Sequence, residues 1–322
     1  MPTQIKELAA YSCEEDPNEI AKAYNQVGER YRRYADGSLS KLFAFDGRYA
    51  FSDRQTWAVI EDCLHRLRLS GARRLRLLDL GCGPGTWLRR TVTRARQMGF
   101  TDISARGIDL SDSQIRWARM LSDPLASAKW IKIVYDVGDI GDGLLQEGDA
   151  SADLCLCLYG VLNHVPVQDL SRILKEVARV TSRNFVATIR GVGSMPTIYV
   201  DGVASAKSFQ QNNSLGRLDI EFQNGSRASF ESHLFSCDQI RAAAADFMEI
   251  EDLRGLDFFH ARFATDPRWN PPRAACSESF LRELEALESR YSHDPDFIDH
   301  ATHLLLVARP QNTTERSRGD GA

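Results

Sequence analysis

A doubly wound α/β fold around a mostly parallel sheet is predicted by two features of the chain. Short, nearly continuous apolar strands alternate with amphipathic helical segments between residues 76 and 190. Such alternation covers both faces of a parallel sheet with helices. In addition, a strand over 76–80 runs straight into a glycine-rich turn, and a helix opens at Thr86. That arrangement sets a ligand cradle at the carboxyl edge of the sheet. The 322 residues suffice for one large domain with a lid.

The elements follow from residue spacing. Within 14–70, Ala21, Tyr24, Val27, Tyr31 and Tyr34 recur at helical intervals. A second helix over 56–69 puts Trp57, Ile60, Leu64 and Leu67 on one face before Ser70-Gly71 stops it. Residues 1–70 are therefore expected to form a helical lid. From there strands over 76–80, 104–110, 130–135, 153–159 and 184–190 alternate with helices over 86–98, 111–121 and 167–180, with Ser111 as an N-cap. The pattern breaks at 191–235. There, strands over 218–222 and 227–234 flank Asn224-Gly225, the signal of a β-hairpin insertion. A helix over 238–247, a strand over 249–256, a loop over 266–272, a helix over 278–291 and a strand over 303–308 complete a second domain, 71–310. The polar residues 311–322 read as a disordered tail.

Composition narrows the partners. The formal net charge of −4 disfavours a nucleic-acid surface, which is ordinarily basic. The first twenty residues lack the basic and apolar regions of a signal peptide. No apolar run approaches the roughly 20 residues of a membrane-spanning helix. A cytoplasmic protein without membrane or nucleic-acid partners is expected, its oligomeric state left open. The seven cysteines are scattered and odd in number, so they read as free thiols, and no spacing suits a metal. Cys155 and Cys157, two apart in an apolar strand, read as core side chains.

The glycine-rich turn is Asp79-Leu80-Gly81-Cys82-Gly83-Pro84-Gly85-Thr86. It departs from the G-x-G-x-x-G of dinucleotide sites and lacks the Gly-Lys-Ser/Thr of a phosphate loop. Asp79 stands two positions before the first glycine. A carboxylate there repels a pyrophosphate and attracts an ammonium. S-adenosylmethionine carries an α-ammonium and a sulfonium and no phosphate, so it suits Asp79, Gly81 and Gly83 better than NAD does. Asp109, ending the second strand, can accept from both ribose hydroxyls, and Leu110 would pack on the adenine. Asp139 can accept from the adenine amino group while Ile140 covers the ring, although Asp136 competes for that role.

With these motifs in order, the chain resembles the class I S-adenosylmethionine-dependent methyltransferases of small molecules. The resemblance implies a Rossmann-like seven-stranded sheet, order 3-2-1-4-5-7-6 with strand 7 antiparallel. It also implies that the loop after the fourth strand, Tyr159 to His164, faces the sulfonium and the acceptor. Tyr159 would neighbour the methionine part, and Asn163 and His164 would orient the acceptor or take its proton. The alternative for His164 is packing. Tyr24 and Tyr31 lie in a segment similar to the family's lid helix; they either wall the methionine side or form the buried face of an ordinary helix. Methyl transfer needs alignment and desolvation more than acid–base groups. Two other functions remain open on the sequence. One is intramolecular attack of the α-amine, giving azetidine-2-carboxylate and methylthioadenosine. The other is a non-catalytic module that binds the cofactor.

Overall fold

The computed structural model describes residues 20–22, 24–25, 41–45, 49–194, 206–212, 214–260 and 277–311. Tyr31, the 266–272 loop and the tail from 312 onward lie outside them. In chain order the elements are α1 (Ala50–Leu69), β1 (Arg74–Leu80), α2 (Thr86–Gln97), β2 (Asp102–Asp109), α3 (Asp112–Ala126), β3 (Ile131–Val137), α4 (Ile140–Leu145) and β4 (Ala152–Cys157). There follow α5 (Leu170–Val180), β5 (Thr181–Arg190), β6 (Ala206–Asn212), β7 (Arg217–Phe222), β8 (Arg227–Glu231), α6 (Cys237–Ala244), β9 (Met248–Leu256), α7 (Glu278–Tyr291) and β10 (His303–Pro310).

Seven strands form one sheet in the order β3-β2-β1-β4-β5-β10-β9. The first five are parallel, and β10 runs antiparallel to both β5 and β9. This is the predicted order with its one reversed strand. Side-chain alternation sends Leu78, Leu80, Cys155 and Cys157 to a core shared with α5 and α6. Leu75, Leu77, Leu154 and Leu156 point the other way, to a core shared with α1, α2 and α3. Cys155 and Cys157 are buried, and burial pushes both thiols well up from their ordinary range. Helix α1 contributes Phe51, Trp57, Ile60, Leu64 and Leu67 to the second core, on the face that also holds Val186 and Leu305. Each such side chain, fully buried, contributes roughly 1.5–3 kcal/mol.

Three elements differ from the sequence reading. Helix α1 begins at Ala50 rather than Thr56, because Ala50, Phe51 and Ser52 are buried with it. The insertion is a three-stranded antiparallel sheet, β6-β7-β8, rather than a hairpin. Its first strand, AKSFQQN, has too few apolar residues to give a two-residue period. Helix α4 is also unpredicted, for two of its six residues are glycines. Asp139 compensates as its N-cap, accepting from Gly141 N–H at 2.7 Å. Ser111 caps α3 as expected, accepting from Gln114 N–H at 3.3 Å. Among the described residues, no helix is long and apolar enough to cross a membrane.

Candidate active site

The parallel strands deliver their carboxyl ends to one edge of the sheet, and the glycine-rich turn lies there. The amides of Gly81 and Cys82 donate to Ile108 O at 2.8 and 3.0 Å, clamping the turn onto β2. All three glycines have positive φ, at +67°, +52° and +73° for Gly81, Gly83 and Gly85. Their surroundings differ. A Cβ on Gly81 would lie 2.2 Å from Val161, and one on Gly85 would lie 2.4 Å from the Tyr135 hydroxyl. A Cβ on Gly83 would meet nothing within 4 Å among the described residues. Gly81 and Gly85 thus make room for protein side chains, and Gly83 borders open space.

Asp79 ends β1 on the α2 face, only 2% exposed. Its Oδ2 is buried without a hydrogen-bond partner among the described residues. Desolvation, and then the nearby Asp109 carboxylate, push its pKa up to about 8, against the pull of a backbone hydrogen bond from Leu88. An uncompensated carboxylate so placed costs stability until a cation reaches it, so the residues present fit an ammonium. Asp109 accepts from Gly83 N–H through Oδ2 and from Ser111 N–H through Oδ1, each at 2.8 Å. Burial pushes its pKa up, and those two amides pull it back. Each oxygen keeps a lone pair for a further donor.

The two acids that compete for the adenine position are held differently. Asp136 pairs with Arg106 at 2.7 Å. Asp139 spends Oδ1 on its own helix and leaves Oδ2 without a partner among the described residues. Ile140 is buried in the core with Leu80 and Ile108, and Leu110 is half-buried.

The loop after β4 turns on two left-handed residues, Tyr159 at φ +61° and Gly160 at φ +76°. Tyr159 N–H donates to Thr188 Oγ1 at 2.6 Å, its hydroxyl donates to Asp53, and its ring lies 6.0 Å from that of Trp87. Asn163 spends both ends of its side chain on the protein. Its amide donates to Arg190 O and His233 O and its oxygen accepts from Arg190 N–H, which staples β5 to the insertion. His164 is similarly engaged. Nδ1–H donates to Glu231 O at 2.8 Å, because a carbonyl only accepts, and Nε2 accepts from the Tyr24 hydroxyl at 2.7 Å. Desolvation lowers its pKa to about 4. The neutral ring clamps Tyr24, and the base role read for it in the sequence has no nitrogen left in this arrangement.

Tyr24 is thus a contact of the β4 loop and of Phe230 in the insertion, 6.3 Å away. Its neighbour Asn25 accepts from Ser111 Oγ–H at 2.7 Å, beside Asp109. Tyr24 and Asn25 therefore bond the β4 loop and the residue that follows β2 by two positions.

A further polar group was missed by sequence reasoning. Asp257, fully buried at φ +59°, holds His303 Nδ1 at 3.0 Å, and Thr302 Oγ1–H donates to its carbonyl. Glu288 of α7 accepts from the amides of Phe258, Phe259 and His260 and fixes the loop. Asp53, the partner of Tyr159, has its pKa raised to about 6 by desolvation, with Asp257 adding to the rise. The hydrogen bonds of this group span 28 to 106 positions of the chain, so no local pattern joins its members.

Comparison with known proteins bears on this site. A family model for a methyltransferase domain matches residues 77–184, the stretch containing the turn, Asp109, Asp139 and the β4 loop. No curated protein matches the chain. Among solved structures, a [4+2]-cyclase, SpnF, is 15% identical, covering 92% of this chain and 97% of its own, with a TM-score of 0.50. A magnesium protoporphyrin IX methyltransferase from Synechocystis PCC 6803, with bound S-adenosylmethionine, is 14% identical over 94% of this chain and all of its own, TM-score 0.49. A Methanosarcina mazei S-adenosylmethionine-dependent methyltransferase is 17% identical over 73% of this chain and 92% of its own, TM-score 0.45. Residues 77–184 of the chain thus match a methyltransferase domain, and the solved structures share its fold.

Proposed function

We propose that the protein transfers the methyl group of S-adenosylmethionine to a small-molecule acceptor enclosed at the carboxyl edge of the sheet. The supporting observation is that Tyr24 bonds His164 of the β4 loop and Asn25 bonds Ser111 beside Asp109, which suits a closed site better than a broad macromolecular surface. Asp79 would hold the α-ammonium, Asp109 the ribose hydroxyls and Asp139 Oδ2 the adenine amino group. Gly81 and Gly83 would shape the backbone beneath, with Leu110 and Ile140 against the ring. When bound, the cofactor supplies an electrophilic methyl on a cationic sulfur. The protein aligns the acceptor with it and excludes water. Tyr159 walls the methionine side, while Asn163 and His164 fix the loop and Tyr24 rather than touching the acceptor.

The test is incubation with S-adenosylmethionine with and without a panel of small amines, phenols, thiols and carboxylates, read by mass spectrometry. Acceptor-dependent S-adenosylhomocysteine supports the proposal. Methylthioadenosine formed without any acceptor identifies the intramolecular cyclisation instead. Cofactor binding with neither product leaves a binding module.

A further inference from the structure

We infer that His303, oriented by Asp257, is a proton-accepting site for the nucleophile that reacts beside the cofactor cradle. The inference rests on the transfer reaction proposed above for the choice of nucleophile, a protic hydroxyl, phenol or amine.

Position comes first. His303 opens β10, whose register sets it opposite Arg190 at the carboxyl end of β5 and opposite Leu256 at the end of β9. Strands are spaced about 4.8 Å apart, so β10, two strands from β4, lies about 10 Å along the rim from the Tyr159 loop. Directly paired residues share a face of the sheet. His303 therefore shares the α1 face with Leu256, where Tyr49 sets its ring edge-on at 4.9 Å. Asp53 of the same helix interacts with both Asp257 and His303 and receives the Tyr159 hydroxyl. Two residues separated by two strands are thereby joined through one carboxylate.

Chemistry comes second. Asp257 Oδ2 fixes His303 Nδ1 as the protonated nitrogen, which leaves Nε2 as the basic one, with no hydrogen bond among the described residues. This is the orientation a carboxylate gives a histidine base. The carboxylate is buried, and its Oδ1 has no partner among the described residues. Asp257 and Tyr159 both hold non-glycine backbones in the left-handed region, a strain that concentrates at functional sites. The charged and titratable groups around His303 are Asp257, Asp53, Arg190 directly opposite on β5, Tyr49 and, through Asp53, Tyr159 and Arg90. Glu288 and His260 lie behind the loop that carries Asp257.

The step balances simply. A bond forms between the nucleophile and the methyl carbon, and the carbon–sulfur bond breaks with its electron pair going to sulfur. The proton of the nucleophile goes to His303 Nε2 and then to solvent.

Two measurements test this. In histidine-labelled full-length protein, nitrogen NMR is expected to show the neutral His303 ring with Nδ1 protonated and Nε2 bare. In Asp257→Asn the tautomer preference is lost. A neutral His303 with the proton on Nε2 overturns the proposal whether or not methyl transfer is found. With an acceptor from the panel, His303→Gln and Asp257→Asn are expected to keep affinity for S-adenosylhomocysteine within about threefold. Their kcat should fall at least 100-fold at pH 7, with recovery toward pH 9.5 as the acceptor ionises unaided. A purely structural pair would leave the pH profile of kcat unchanged, which contradicts the proposal. If wild type transfers no methyl group yet the NMR result holds, the proton-accepting site stands and the transfer reaction fails.

Discussion

At the residue scale, the cradle separates glycines that serve the fold from one that serves the ligand. Gly81→Ala must place a methyl against Val161 at a positive φ, and we expect a loss of about 2–5 kcal/mol in denaturant unfolding. Gly83→Ala meets only the backbone penalty, about 1–2 kcal/mol, but its methyl enters the open space, so affinity for S-adenosylhomocysteine should fall at least tenfold. Equal stability losses with unchanged affinity would remove Gly83 from the ligand surface. The sequence showed the turn and its carboxylate plainly, because a strand, an acid and three glycines are all local. It did not show that Val161 and Tyr135 occupy two of the three positions, since one contact comes from the loop after β4 and the other from β3.

Among elements, the clamp at His164 ties Tyr24 to β8 and the β4 loop. Its pKa is depressed to about 4, so the unfolded chain binds the extra proton below about pH 6.5. The stability this neutral histidine contributes is complete above pH 6.5 and is lost as pH falls through 4. Over that window it amounts to about 3 kcal/mol, measured as the difference in pH dependence between wild type and His164→Asn in urea unfolding. Parallel curves would show that the ring is not held neutral. Tyr24→Phe removes the hydroxyl donor while leaving the ring. The expected outcome is several-fold faster release of S-adenosylhomocysteine in stopped-flow experiments with an unchanged circular dichroism spectrum. Asn163 and His164 read as chemistry in the sequence because the family places its reacting loop there. The insertion that engages both arrives 70 residues later, so their satisfied hydrogen bonds were not legible. The same distance hid β6, a polar strand paired on one side only.

For the whole molecule, the alternation of strands and helices was legible because each apolar strand is followed by its own helix or turn, whereas the seven-stranded order was implied by the family resemblance. The reversed β10 came from family resemblance alone, and no local pattern separates an antiparallel buried strand from a parallel one. The fold itself does not fix the reaction, since the structure of a [4+2]-cyclase shares it. What the fold does fix is a carboxyl edge where Asp79 waits buried, with a pKa near 8. A carboxyl of raised pKa contributes stability below its ordinary range that is lost as pH rises through 8, so a bound cation should restore stability at neutral and alkaline pH. At 100 times its dissociation constant, S-adenosylhomocysteine should stabilise the protein by about 2.7 kcal/mol, and NAD by nothing measurable.

The most direct measurement is calorimetric titration with S-adenosylhomocysteine near pH 7 in buffers of different ionisation enthalpy. Wild type should bind it with release of up to about one proton, as the ligand ammonium draws Asp79 into its ionised form, and Asp79→Asn should bind more weakly with no release. Tight binding by Asp79→Asn with the same proton count, or uptake of NAD or ATP in place of the thioether, would contradict the role assigned to that carboxylate.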